Sequence, residues 1–505
     1  MFSTVWRESL LVRALAGLVN QIGESALYRW LTGFGDLREG GCLEDEAPLY
    51  RSLGRFLAVL RSAVQPWLRE AGLGPAVTRP APAGVWGGSR VYRWIRYFSV
   101  EDLLYILLPF AFWDFFLRRF AATALLWKFW DKGLFVLIVV AWTARQVARG
   151  ERVYRRTALD LPVIVFMAAL LFLFFINSPV TRIGFDGLRV YVEYILWFFV
   201  GANLIRSRGQ VHSIIWVLLL VAFLVSLYGN YQFYIKVPIP PQWVDQAEPS
   251  LTTRVFSIVE SPNVLGSFLV LTIPLALAEL LAAGRKWWKR AFALVILLSM
   301  GACLIFTYTR AAWFALLAGL ILFAVLYNWR LLAGLVVAGM VVPATIPSVM
   351  SRLLYLFSPA YLASSSQAGR LERWSLALQQ VSLHPLVGDG LGWYGGAVAA
   401  NEVPGSFYVD SFYVKTAAET GIIGSLALLW LIVSVIRCGL SNTLRLTEPY
   451  LRLISAALFA GLFGVLVHNS VENIFEVPMM GTYFWFLAGV MAGLPYLEQA
   501  GTTDS

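Results

Sequence analysis

The sequence predicts an all-α polytopic membrane protein with about twelve transmembrane helices and a large external loop between the ninth and tenth. Three observations carry this expectation. Long apolar runs fill residues 101 to 497 and leave one wide polar gap, at 348 to 408. Hydrophobic residues make up 59% of the 505 positions and charged residues only 14%, with a mean hydropathy of +0.68. Soluble chains carry about 25% charged residues. Lys and Arg fall mainly in alternate loops, as expected where loops retained in the cytoplasm keep positive charge.

Residues 1 to 97 read as a separate cytoplasmic segment. Leu10, Leu11, Leu15, Leu18 and Val19 recur at helical spacing among Arg7, Arg13 and Asn20, and 51 to 68 repeat the style with Arg51, Arg55 and Arg61. Such stretches suit amphipathic helices lying on the membrane surface. Gly72 to Gly88, rich in Gly and Pro, reads as a linker. The membrane domain, 98 to 497, follows. A run of about 20 apolar residues crosses the hydrocarbon core. Spans are expected at 101 to 117, 132 to 147, 159 to 177, 189 to 204, 211 to 233 and 264 to 283. Six more are expected at 291 to 308, 311 to 327, 331 to 347, 411 to 436, 453 to 470 and 479 to 497, with a cytoplasmic tail at 498 to 505.

Twelve Lys and Arg residues lie in 1 to 100 and five in 145 to 156, which sets both termini inside and the 348 to 408 loop outside. Arg118, Arg119, Lys128 and Lys132 break the pattern, and are read as snorkelling to headgroups beside Trp127 and Trp130. The net charge of +10 follows membrane sidedness and forms no long basic run, so nucleic acid is not an expected partner. Cys42, Cys303 and Cys438 are unpaired in spacing, two expected in the cytoplasm and Cys303 within a span. With three scattered histidines, no metal site is expected.

Arginines collect on the external side against the general tendency. Arg254 precedes Glu260-Ser261-Pro262-Asn263, Arg310 stands in Thr309-Arg310-Ala311-Ala312-Trp313 at a tight helix-to-helix turn, and Arg370 and Arg373 stand in Gly369-Arg370-Leu371-Glu372-Arg373-Trp374. A guanidinium stays charged and offers two parallel donors to a phosphate. Three on one face suit a pyrophosphate, whereas each alone is equally well read as snorkelling or paired with a carboxylate. Glu372 or Glu402 is the expected partner of Arg373. Gly388-Asp389-Gly390-Leu391-Gly392 lacks the flanking strand and full spacing of a nucleotide fingerprint and reads as a tight turn.

In order, these motifs resemble the O-antigen ligase and O-antigen polymerase superfamily, membrane glycosyltransferases acting on undecaprenyl-diphosphate-linked glycans. The matching series runs from Arg254 and Ser261-Pro262-Asn263 through Arg310, Gly369-Arg370, Pro385 and Gly388 to Gly392. It continues with Asp410-Ser411-Phe412-Tyr413, Glu419-Thr420-Gly421 and His468-Asn469. The resemblance covers about residues 160 to 495. It implies a GT-C-like fold in the inner membrane, a lipid-linked glycan donor, a glycan, lipid or protein acceptor, and neither cofactor nor required metal. It also implies diphosphate-binding roles for Arg254, Arg310 and Arg370, with Arg373 a lesser candidate. Where ligases of this family typically carry a His-Asn pair, this chain has Asp410-Ser411, which fits a polymerase or a ligase for another acceptor.

Glycosyl transfer also needs a group to relieve the acceptor hydroxyl of its proton. Asp410 is the first candidate, a carboxylate helix cap being the equal alternative for that residue. His468 and Glu260 are the other catalytic candidates, with Glu472 and Glu476 among the remaining external carboxylates. Lys415 and Glu419, four apart on one helix, are expected to neutralise each other. A transporter or flippase of lipid-linked oligosaccharide is the rival reading, but it calls for intramembrane charge along a path and often repeated halves, and no internal repeat is evident. The sidedness is directly testable: with single cysteines at Ser3 and Ser365, an impermeant reagent should label only the latter in intact cells, and the reverse pattern would remove the external site.

Overall fold

The computed structural model describes residues 100–149, 154–239, 253–282, 286–359, 361, 365–366 and 369–503; residues 1 to 97, with their expected surface helices and linker, lie outside them. The described residues are helical, with no strand among them. They fall into two compact units, one containing 100–108 and 117–156, the other 109–116 and everything from Thr157 onward.

In chain order the helices are α1 (Leu104–Leu107), α2 (Phe110–Arg119), α3 (Ala124–Arg149), α4 (Asp160–Ile176), α5 (Thr181–Val192), α6 (Trp197–Leu204), α7 (Arg208–Tyr234) and α8 (Pro262–Leu281). Then come α9 (Trp287–Phe306), α10 (Arg310–Tyr327), α11 (Leu331–Thr345), α12 (Pro347–Tyr355) and α13 (Arg370–Leu383). The last four are α14 (Ala397–Glu402), α15 (Phe412–Arg445), α16 (Pro449–His468) and α17 (Pro478–Thr503). Among the described residues seven of these, α7 to α10 and α15 to α17, are long and apolar enough to cross a membrane. The pair α11 and α12 makes an eighth if taken together, and α4 is a shorter apolar helix.

Several expected spans take another form. The 101 to 117 run is broken before Pro109, which lacks the amide needed to continue a helix, leaving the one-turn α1 and then α2. The 189 to 204 run is divided between the end of α5 and the two-turn α6 by a turn at 193 to 196. Arg182, Asp186 and Arg189 make α5 amphipathic, and Arg189 pairs with Asp186 at 3.4 Å. The 331 to 347 run ends at Ile346, where the chain bends by 101° into α12. Ile346 is extended, as a residue before proline favours. Because α15 continues to Arg445, Cys438 lies buried within that helix. At the anomalous basic hairpin, the Arg118 guanidinium lies 5.4 Å over the Trp127 ring.

The core of the larger unit is formed by α8, α16 and α17, buried over 83%, 78% and 89% of their apolar windows. Small residues let their backbones approach: a Cβ at Gly461 of α16 would lie 2.4 Å from the Leu271 carbonyl oxygen of α8. At the periphery α9 and α10 expose apolar side chains such as Leu298 and Phe314, as lipid-facing helices do.

One interruption positions the polar loop. Within α15, Gly421 adopts φ 58°, ψ −155°, and the helix breaks there. The loop after α13 supplies the missing backbone partners: Asp389 N donates to Ala418 O at 2.9 Å and Gly390 N to Glu419 O at 3.1 Å. In return Ile422 N donates to Pro385 O at 2.8 Å and Ile423 N to Leu386 O at 3.3 Å. The contact is too close for side chains, since a Cβ on Gly388 would lie 2.4 Å from Glu419 C and one on Gly421 2.5 Å from Leu386 C. The glycine cluster is thus a turn docked onto a broken helix. Gly421→Ala should destabilise the protein by about 1 to 3 kcal/mol in detergent melting. Gly301→Ala in α9, where the space beside the glycine is open, is the control and should not.

Candidate functional site

Helices α8, α10, α13 and α15 begin, and α9 and α16 end, at the same end of this unit, bringing several of the expected residues together. Ser261 caps α8 by accepting from Val264 N, and Pro262 opens its first turn, which holds Asn263 at the bundle end. Arg254, in the buried extended segment before α8, donates from Nε to Thr307 O at 3.1 Å and from Nη2 to Asn263 Oδ1 and Thr309 Oγ1, each at 3.3 Å. Thr309 also donates to Asn263 Oδ1 at 3.1 Å. Tyr308, between the two threonines, has φ 52°, a left-handed conformation uncommon without glycine. That turn lets Thr307 O and Thr309 Oγ1 face one guanidinium.

The chain of contacts continues to a carboxylate that sequence reasoning named only among the external acids. Asn263 Nδ2 donates to Glu472 Oε1 at 2.7 Å, and Arg370 Nη2 reaches the same oxygen at 3.5 Å. Arg370 Nε lies 3.9 Å from Asp410 Oδ2, and Arg373 Nη1 lies 3.3 Å from that oxygen and from Tyr408 O. The side chain of Glu472 is only 16% exposed. Burial pushes its pKa up to about 7, with the Asp410 charge adding to the rise while Arg370, Asn263 and Arg254 oppose it.

Asp410 is not the helix cap, since Ser411 caps α15 by accepting from Val414 N at 3.3 Å. Nor does Arg373 pair with Glu372 or Glu402; it meets Asp410, while Glu402 bonds Arg182. His468 is fully buried, its Nδ1 bonded to Ser267 Oγ, and its Nε2 has no hydrogen-bond partner. Its neighbour Asn469 shapes the following turn by accepting from Ile474 N at 3.1 Å and Phe475 N at 3.3 Å. Glu260 is exposed at a left-handed turn, φ 61°. Arg310 takes another direction, with Nη1 3.5 Å from Arg352 O and its guanidinium 5.3 Å from the Tyr355 ring and 5.2 Å from the Tyr361 ring. The geometry therefore gathers Arg254, Arg370, Arg373, Asp410 and Glu472, and leaves Arg310 in a neighbouring aromatic cradle. An open apolar groove runs along α13, lined by Leu371, Trp374, Ser375, Leu378, Gln379 and Ser382.

Beneath the loop lies a second buried network. Lys415 Nζ is 3.1 Å from Glu419 Oε2, and also 2.6 Å from Glu476 Oε1. Tyr191 donates to Glu419 Oε2 at 2.8 Å and offers its ring to Lys415 at 4.2 Å. The loop backbone joins in, Ala397 N donating to Glu476 Oε2 at 2.9 Å and Tyr394 N to Glu419 Oε1 at 3.3 Å. The i, i+4 spacing foretold Lys415 with Glu419; Glu476 and Tyr191 come from distant chain and left no local signal.

Residues 292–429 match the family model described as O-antigen ligase. The match spans Arg310, Arg370, Arg373 and Asp410, and supports placing the chain in the O-antigen ligase superfamily, whose members are membrane enzymes of cell-surface polysaccharide synthesis. No curated protein matches the chain. Lys415→Met should cost about 3 to 5 kcal/mol, because it strands two buried carboxylates. Adding Glu419→Gln should restore part of that loss in thermal melting; no recovery would mean that Lys415 acts through packing alone.

Proposed function

We propose that this member of the O-antigen ligase superfamily is a glycosyltransferase that transfers or polymerises an oligosaccharide carried on undecaprenyl diphosphate, on the external face of the cytoplasmic membrane. The observation that carries this reading is the convergence of Asn263 and Arg370, from two distant segments, on one carboxylate oxygen of Glu472, with Arg254 bonded to Asn263 behind it. Arginines held around one anionic group form a site suited to a charged leaving group.

In this scheme the donor diphosphate lies against Arg254, Asn263 and Arg370. Those donors stabilise the charge that grows on the leaving oxygen as the bond to the anomeric carbon breaks. Arg310 stands nearby in sequence to Thr309, and its tyrosine cradle keeps a cation at the approach to the site. Asp410, with its side chain 30% exposed, takes the proton of the acceptor hydroxyl, and Arg373 orients it. The apolar groove on α13 begins at the turn bearing Arg370 and Arg373, a suitable path for a long donor or acceptor. A glycan, lipid or protein hydroxyl serves as acceptor.

The test is a reconstituted reaction with an undecaprenyl-diphosphate-linked glycan, in which a ladder of products marks a polymerase and a single transferred product a ligase. Arg370→Lys keeps the charge but loses the planar fork, and turnover should fall by about 10² to 10³. Asp410→Asn should lower turnover by about 10² to 10⁴ with donor binding little changed. Near-normal turnover in Asp410→Asn would move the proton transfer to His468, Glu260 or no protein group.

A further inference from the structure

Glu472 sits where a ligand of the arginines would sit, and four observations bear on what it does there. First, Asn263 and Arg370 both donate to its Oε1, and Arg254, behind Asn263, acts on it electrostatically. Second, a donor beside it is left over: Arg370 Nε is buried without a hydrogen-bond partner. A carboxylate offers two oxygens, whereas a diphosphate offers several more. Third, the backbone of Glu472 is fixed independently of its side chain. Its carbonyl oxygen accepts from Phe412 N at 3.0 Å, and Asn469 holds the rest of the turn. The side chain can therefore rotate away without unmaking the turn. Fourth, the local charge is nearly balanced without a ligand, with Arg254, Arg370 and Arg373 against Asp410 and Glu472. Adding the two negative charges of a diphosphate diester to that group gives an excess of negative charge unless one acid is neutralised.

We propose that Glu472 is an internal anion that occupies the diphosphate position of Arg254, Arg370 and Asn263, and that donor binding displaces it and favours its protonated form. The proposal rests on the diphosphate reading given above. The charged and titratable groups acting on Glu472 are Arg254 before α8, Arg370 on α13 and Asp410 before α15. Donor binding is then linked to uptake of a proton. Below the pKa of Glu472, held at about 7 by burial, affinity is independent of pH; above it, each further unit costs up to about tenfold in affinity.

The full chain in lipid nanodiscs, titrated with a short-chain polyprenyl diphosphoryl sugar, tests this. The probe is a diester whose phosphates have no ionisation near neutrality, so the pH dependence belongs to the protein. Wild-type Kd should be flat below about pH 7 and rise toward tenfold per unit above it. Glu472→Gln and Glu472→Ala should both flatten the profile and bind about tenfold tighter than wild type at about pH 8. Weaker binding by both variants, or an unchanged pH slope, would overturn the proposal. So would unaltered binding with lost turnover, the signature of a general base. Absence of wild-type binding at every pH would instead remove the diphosphate reading itself.

Discussion

The break in α15 is the constraint on which the candidate site depends. A helix interrupted inside a bundle frees amides and carbonyls that lipid cannot satisfy, and each unsatisfied group costs several kcal/mol in hydrocarbon. Here the turn at 385 to 390 satisfies them by exchanging four backbone hydrogen bonds across the gap. Two glycines make the approach possible, one in the turn and one in the helix. The exchange holds the C-terminal end of α13 against α15, so the arginines at its other end have a defined origin. It also fixes the short first part of α15, which carries Lys415 and Glu419 and begins just after Asp410.

Two polar layers then sit on this frame with different balances of charge. The inner layer, Lys415 with Glu419, Glu476 and Tyr191, is closed by direct bonds and by loop amides, and acts as a staple between loop and bundle. The outer layer, around Glu472, is only partly satisfied and shares one oxygen between two donors. Buried polar groups of the first kind rigidify a fold, and those of the second kind are where a ligand gains affinity. The same chemistry of Lys, Arg and carboxylate thus serves architecture a few residues away from the candidate site.

Much of this was legible in the chain. Apolar length marked the membrane class, and a wide polar interval marked the loop, because lipid imposes a length and a composition that no tertiary contact can override. The arginines stood out by falling in segments expected, from the charge pattern, to face outward. Their partners did not stand out, because nothing local ties Asn263 to Glu472, or Tyr191 to Glu419; those pairings are made by packing between distant helices. The same limit explains the divided 189 to 204 run, where apolar content was right but a turn at 193 to 196 shortens the helix. Arg310 shows a further limit: position at a helix turn located its backbone, while its side chain follows aromatic rings at Tyr355 and Tyr361 that sequence spacing does not link to it.

The docked turn also makes the two flanks of α13 unequal in their tolerance of length. Residues added between Tyr355 and Arg370 leave the four bonds to the broken helix in register. A residue added between His384 and Gly392 shifts the register of every bond to the broken helix. The docking of the turn therefore tolerates a change of chain length ahead of α13 and not behind it.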